Sequence, residues 1–340
     1  MALETVHDQP NHVGLVTCKL RGQYVVQEND RSIPCSISNV LRKQLVYPIA
    51  DPNSLRHRVV EVKEIDFVDP VAVGDRVTFM ETGDGGGHIV EVLPRRNELL
   101  RLDAGSAIRK ADAELHLRQV LVANVDQALP MISAAKPAPN WNLLDRYLTT
   151  AEASGIPPVI CITKVDLLNG EEREALEAQL ALYRALGYTA LLTSAEDGTG
   201  LAALRATLKD RLSIFMGKSG VGKTSLLNAI EPGLGLRVNA VREKDGRGRH
   251  TTTHLEAFAL QEGGRVVDTP GMREYGLWGI AAAGLAACFP EMRPLLGTCR
   301  FGASCEHEAE PGCAIKEAVA AGAIDARRYE SYLKLAHELG

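Results

Sequence analysis

The chain has 340 residues, 45% hydrophobic and 24% charged, with a formal net charge of −5. That length supports two or three domains with cores of their own, and no apolar run approaches the ~20 residues of a membrane span. The acidic balance weighs against a protein held on nucleic acid by overall charge, and the opening MALETVHDQPNHVG lacks the basic-then-apolar plan of a signal peptide. A cytoplasmic protein without membrane contact is expected.

The first hundred residues read as β-structure. GLVTCKL, QYVVQE, HRVVEVKEI and DRVTFM are short and alternate apolar with polar residues, and Gly74-Asp75 and Gly83-Asp84-Gly85-Gly86-Gly87 supply turns. The pattern predicts a small OB-like β-barrel over residues 1–110; an SH3-like barrel or sandwich fits it nearly as well. From about residue 118 strands alternate with helices. RQVLVANV is an apolar strand, and NWNLLDRYLTTAEASG a helix with Leu144, Tyr147, Leu148 and Ala151 on one face. PPVICI, EEREALEAQLALYRALG, YTALLTS, LAALRATLKD and LSIFMG continue the alternation, which predicts βαβ units and a doubly wound parallel sheet over 111–285. THLEAFAL and RVVDTPG flank Glu262-Gly263-Gly264 as a hairpin. A cysteine cluster and a helical tail follow over 286–340. A local basic patch, Arg237, Arg242, Lys244, Arg247 and Arg249, is diluted only by Glu243 and Asp245.

Gly217-Lys218-Ser219-Gly220-Val221-Gly222-Lys223-Thr224, with Ser225 behind it, follows the strand SIFMG and opens the helix KTSLLNAI. This is the P-loop in its required context. Its glycines let successive N–H groups face phosphate oxygens, Lys223 reaches the β/γ-phosphates, and the Thr224 hydroxyl ligates Mg²⁺. The loop alone does not choose the base. Thr163-Lys164-Val165-Asp166 ends PPVICI and matches the [NT]KxD pattern of guanine readers. An ionised Asp166 can accept both N1–H and the exocyclic amine of guanine, a pair that adenine lacks, and the Lys164 stem can lie along the base. Thr193-Ser194-Ala195 ends the next strand, where a backbone N–H can donate to guanine O6. Asn124-Val125-Asp126 lacks the lysine and one residue of the spacing.

Asp268-Thr269-Pro270-Gly271 matches the DxxG element, with Asp268 on Mg²⁺ through water and the Gly271 N–H on the γ-phosphate. Within Gly246–Thr253 one threonine, Thr252, is expected to complete the magnesium shell. The order base motifs, phosphate loop, switches is a rearrangement of the ordinary one, so the sequence predicts a circularly permuted P-loop GTPase domain. Where many GTPases carry a water-orienting glutamine after DxxG, this chain has Met272, and His250 is the replacement candidate. Slow intrinsic turnover is expected.

Seven cysteines are present. Cys299, Cys305, His307 and Cys313 form a Cys₃His set suited to one structural Zn²⁺; Cys18, Cys35, Cys161 and Cys288 read as core.

The permuted motifs, the small barrel and the zinc segment together resemble the ribosome small-subunit-dependent GTPase A (RsgA) family. VGDRV at 73–77, LPRRNELLR at 93–101, ANVDQ at 123–127, GKSGVGKTSLLN, GRGRHTTTH, DTPGMRE and HEAEPGC carry the resemblance. It implies a GTPase that binds the immature small (30S) ribosomal subunit late in maturation; a monomer is expected. Barrel and zinc segment would contact 16S rRNA and ribosomal proteins, the subunit would stimulate hydrolysis, and His250 would act in it. This chain departs from the family pattern at Thr163, where Asn is usual. One extra residue separates Cys299 from Cys305, and SISNVLRKQLVYPIADPNS is longer than typical. Two other readings are an RNA-binding scaffold that uses GTP only as a structural switch and a P-loop ATPase or kinase of small molecules. Tighter binding of ATP than of GTP would favour the latter.

Overall fold

The structure is a computed structural model that describes residues 11–20, 22–39, 41, 49–50, 59–61, 70–102, 108–110, 113–115, 118–234, 255–268, 280 and 282–339. Two compact units divide the chain, Met1–Asn124 with Thr252–Ala257 and Val125–Thr251 with Phe258–Gly340. Among the described residues no helix is long and apolar enough to cross a membrane.

In the first unit β1 (His12–Leu20), β2 (Gln23–Glu28) and β3 (Arg31–Ile37) form an antiparallel meander. The short β4 (Ile49–Ala50) and β5 (Val59–Glu61) pair with each other. β6 (Arg76–Glu81) and β7 (Gly87–Val92) form a hairpin whose outer edges join β1 antiparallel and β3 in parallel. Five strands thus close in the order β1-β2-β3-β7-β6-β1, the arrangement of an OB barrel. Period-2 alternation sends Val16, Tyr24, Val26, Ile33, Cys35, Val77, Phe79 and Ile89 inward. A Cβ on Gly14 would collide with Val26 Cγ1, so β1 needs glycine there. Beyond the barrel β8 (Glu98–Leu102) pairs with β11 (Arg118–Ala123), and β9 (Ile108–Lys110) with β10 (Ala113–Leu115). Glu256 and Leu255 add to β1 opposite Cys18 and Lys19.

Three of the sequence signatures meet at one junction of this unit. Fully buried Asp75 accepts from Arg95 Nε and Nη2, each at 2.7 Å, and from Ala72 N at 2.7 Å. Asn124, held at φ 55°, donates Nδ2–H to Gly74 O at 2.9 Å and accepts Arg96 N–H at 2.9 Å. VGDRV, LPRR and the first residues of ANVDQ therefore serve one polar joint centred on buried Asp75.

In the second unit β12 (Gln127–Ser133), β13 (Val159–Thr163), β14 (Thr189–Leu192), β15 (Leu212–Met216) and β17 (Arg265–Asp268) lie parallel in the order β14-β13-β12-β15-β17. β16 (Leu255–Ala259) leads into β17 through a turn in which Leu260 N donates to Gly264 O. Helix α1 (Trp141–Ala153) starts at the Asn140 cap, and α2 (Gly170–Ala185) at the Asn169/Glu172 capping box. α3 (Leu201–Leu208) and α4 (Lys223–Ile230) follow. Leu144, Leu148, Leu176, Leu180 and Tyr183 of α1 and α2 cover one sheet face with Ile132, Ile160 and Ile162. Leu204, Leu208, Leu226, Leu227 and Ile230 of α3 and α4 cover the other with Leu129, Met131 and Phe215. Winding runs outward from β12 to β14 and resumes at β15, so the switch point lies between the carboxyl ends of β12 and β15. That crevice is where doubly wound sheets bind ligands.

The same unit holds the C-terminal segment, with α5 (Ala314–Ala320) and α6 (Ala326–Leu339). The single tail read from the sequence is two helices because Gly322 sits at φ 75° between them. α6 lies along α1. Arg328 Nη1 donates to Asp145 Oδ1 at 2.7 Å, and its Nε and Nη2 reach Glu291 at 2.7 and 3.0 Å. Tyr183 donates to Asp145 Oδ1 at 2.7 Å, and Arg327 Nη1 to Oδ2 at 3.3 Å. Ser331 donates to Asn142 Oδ1 at 2.8 Å, Arg146 pairs with Glu338, and Arg293 with Glu152 at 2.5 Å.

Candidate nucleotide and metal sites

The phosphate loop leaves β15 at Met216 and ends at Lys223, the first residue of α4. Gly220 and Gly222 have φ 83° and 101°, a region that side chains avoid. A Cβ at Gly217 would lie 2.9 Å from Met131 O, so the loop can leave the sheet only there without a side chain. Lys223 Nζ donates to Gly217 O at 2.6 Å and Lys218 O at 3.1 Å, folding back over the loop. Burial pushes its pKa below the ordinary lysine value, and Asp268 at the end of β17 opposes that shift.

The base motif lies against this loop. Thr163, 3% exposed, donates Oγ1–H to Val221 O at 2.5 Å. Lys164, at φ 59°, donates Nζ–H to Gly220 O at 2.7 Å and to Lys136 O at 2.6 Å. Asp166 stands exposed in the 3₁₀ turn Val165–Leu167 that follows. β14 brings the second base element alongside: Thr193 N and Oγ1 both donate to Ile162 O, and Val165 N donates to Thr193 O. Buried Ser194 accepts Glu196 N–H through Oγ at 3.1 Å, which bends the chain so that Ala195 faces solvent. Thr163 and Lys164 thus meet residues 58 and 56 positions further along the chain in the phosphate loop. His250, Thr252 and Gly271 lie outside the described residues. The Lys136 carbonyl is an acceptor that no motif points to.

The cysteine cluster is a compact donor set. Cys299 Sγ, Cys305 Sγ, His307 Nδ1 and Cys313 Sγ are buried and lie within 4.8 Å of one another. Both Cys299 and Cys313 sulfurs are 3.5 Å from His307 Nδ1, and they are 3.9 Å from each other. A zinc ion with bonds of about 2.3 Å to sulfur and about 2.05 Å to nitrogen has tetrahedral edges of about 3.5 Å (S–N) and about 3.8 Å (S–S). The donors fit. The extra residue between Cys299 and Cys305 is absorbed by a 3₁₀ turn, Gly302–Ser304. Tyr329 donates to His307 O at 2.6 Å and Tyr332 to Glu306 O at 2.9 Å, tying the knuckle to α6. The remaining cysteines are buried, and burial pushes Cys18 and Cys35 up to about 11 and Cys161 to about 12, as befits inert core thiols. His12, Glu28 and Glu81 also gather in the barrel, where Glu81 is engaged by Arg31 at 2.9 Å and Glu28 by His12 at 2.8 Å.

A phosphate loop at the switch point of a doubly wound sheet, entered after its base motifs, together with an OB barrel, defines a circularly permuted P-loop GTPase. The RsgA GTPase family pattern matches residues 92–278. A small ribosomal subunit biogenesis GTPase RsgA of Gemmatimonas aurantiaca is 46% identical over 271 residues, covering 79% of this chain and 84% of that one. The protein of the same name from Azotobacter vinelandii is 43% identical over 262 residues, 77% of this chain and 73% of that one. Among solved structures, YloQ, described as a circularly permuted GTPase, superposes with a TM-score of 0.68 at 31% identity over 99% of this chain and 98% of that one. YjeQ from Thermotoga maritima gives 0.71 at 30% identity over 97% and 99%. The chain belongs to the RsgA GTPase family.

Proposed function

We propose that this protein binds GTP at residues 217–225, hydrolyses it, and acts in the cytoplasm as a monomer in late maturation of the small ribosomal subunit. The observation that carries the nucleotide assignment is the pair of bonds from Thr163 to Val221 O and from Lys164 to Gly220 O. They hold the end of the strand that carries the base motif against the phosphate loop. The relatives' name, small ribosomal subunit biogenesis GTPase, supports the biological assignment.

In this reading Asp166 accepts from the guanine edge, and the Lys164 stem covers its face. Ser194 holds the turn from which the Ala195 N–H reaches O6. Lys223 exchanges its two carbonyl acceptors for phosphate oxygens. Thr224, Thr252 and water bound to Asp268 would hold Mg²⁺, which supplies charge neutralisation for the β- and γ-phosphates. Gly271 donates to the γ-phosphate, and His250 orients the attacking water. Cys299, Cys305, His307 and Cys313 would hold one Zn²⁺ and so brace the segment 286–340, with the GTPase domain at 111–285 and the barrel at 1–110. Barrel and zinc segment are the surfaces assigned to 16S rRNA and ribosomal proteins.

Two substitutions test the chemistry. Asp166→Asn faces the guanine amine with an amide donor, whereas xanthine offers a carbonyl there, so preference should move from GTP toward XTP; an unchanged preference removes Asp166 as the base reader. His250→Ala should abolish stimulation of turnover by small subunits at unchanged GTP affinity; wild-type stimulated turnover rejects the role. Co-sedimentation with small subunits in GDP, GTP and a non-hydrolysable analogue tests the partner.

A further inference from the structure

The Lys164 ammonium has two acceptors, and only one belongs to the phosphate loop. The other, Lys136 O, comes from the connection between β12 and α1. Ser133, the last residue of β12 and 1% exposed, turns its hydroxyl forward and donates to Pro137 O at 2.7 Å. Ala134 N donates to Thr163 O at 2.8 Å, which fastens the start of the turn to the strand that carries the base motif. Between these anchors Lys136 sits at φ 49°, in the left-handed region. The turn is therefore closed from within by Ser133 and from the side by Thr163, with one carbonyl directed at Nζ.

A lysine stem has about 2 kcal/mol of rotamer freedom to lose when it is held in one place. Two carbonyls at 2.6 and 2.7 Å hold its tip before any nucleotide arrives. We propose that the Ser133–Pro137 turn is a positioning element for purine binding, with Ser133 as its positioning residue: it keeps the Lys164 stem extended over the place of the base. This rests on the reading of Lys164 and Asp166 as base-contacting residues. The stem meets the face of the purine, which guanine and hypoxanthine share, whereas Asp166 reads the edge, where they differ. Loosening the turn therefore weakens both nucleotides alike and leaves the choice between them unchanged.

The test is GDP and IDP binding to the full chain by titration calorimetry. Ser133→Ala should weaken both by about fivefold, the worth of one hydrogen bond, at an unchanged GDP/IDP ratio. In a Lys164→Met background the same substitution should have no effect, since the group it positions is gone. Equal losses in both backgrounds, or no loss in the wild-type background, overturn the proposal. Melting curves check folding; if Ser133→Ala does not fold, Pro137→Gly on the exposed side of the turn loosens the same carbonyl and is read by the same cycle. Failure of Asp166→Asn to favour XTP would strike the base reading itself, whereas additive losses in the cycle strike only the turn.

Discussion

Arg328 and Asp145 are 183 residues apart in the chain and 2.7 Å apart in the fold, both at most 1% exposed. The guanidinium is shared with Glu291 and lies 4.8 Å over the Phe289 ring, so charge, hydrogen bonds and an aromatic face all meet it. Nearby carboxylates raise the Arg328 pKa even though burial acts the other way. Removing one partner of such a group leaves the others buried and uncompensated. Arg328→Met should therefore lower stability by about 3–5 kcal/mol, read as a shift in the denaturant midpoint. Neutralising the carboxylates as well, with Asp145→Asn and Glu291→Gln, should restore much of the loss. A midpoint for Arg328→Met equal to wild type would contradict this account.

Thr163 ends β13, and its hydroxyl does the joining to Val221 O. Thr163→Val keeps the shape and removes the donor, leaving a buried carbonyl at a cost of about 1–3 kcal/mol. GDP affinity should fall about tenfold, at 1.4 kcal/mol per decade, whereas Thr163→Ser should stay near wild type. Titration of the two variants with GDP separates hydroxyl from methyl.

One equivalent of zinc per chain is expected by atomic emission, and strong chelators should remove it. Metal loss should lower the melting temperature, because four buried donors then face one another without their cation. His307→Ala should reduce the bound zinc and should leave GDP affinity close to wild type. Retention of a full equivalent in that variant would mean that the three thiolates hold the ion without it.

In the barrel unit, Asp75→Asn removes the carboxylate that receives Arg95 through two bonds. Arg95 keeps Glu98 and Pro70 O, so the expected loss is about 3 kcal/mol, at the low end for a broken buried pair. Hydrogen exchange should quicken at Ala72 and along β6 (Arg76–Glu81) first.

The phosphate loop and the base motif could be read as motifs because the residues of each are adjacent in sequence, and the fold brings Thr163 and Lys164 against the loop. The cysteine set was legible for the same reason. Asp145 was not, since it lies beside an apolar stripe of Leu144, Tyr147, Leu148 and Ala151 and looks like the start of a solvated face. Its partners Tyr183 and Arg328 belong to other helices. Lys136 was illegible because a backbone carbonyl carries no side-chain signature, and Asp75 with Arg95 read only as parts of separate motifs. Local spacing reveals groups that act together within one turn; pairings made by the topology have no spacing to read.

Among the described helices of its unit, α1 is synthesised first and α6 last. Until residues 327 and 328 are made, Asp145 has only the Tyr183 hydroxyl among these three partners, and Asn142 and Arg146 wait for Ser331 and Glu338. The nucleotide-binding half therefore carries a charged, unfinished flank through nearly all of its translation. That flank closes when α6 arrives, so a ribosome stalled shortly before residue 327 would hold a chain with every nucleotide motif complete and the Asp145 side of its first helix still open.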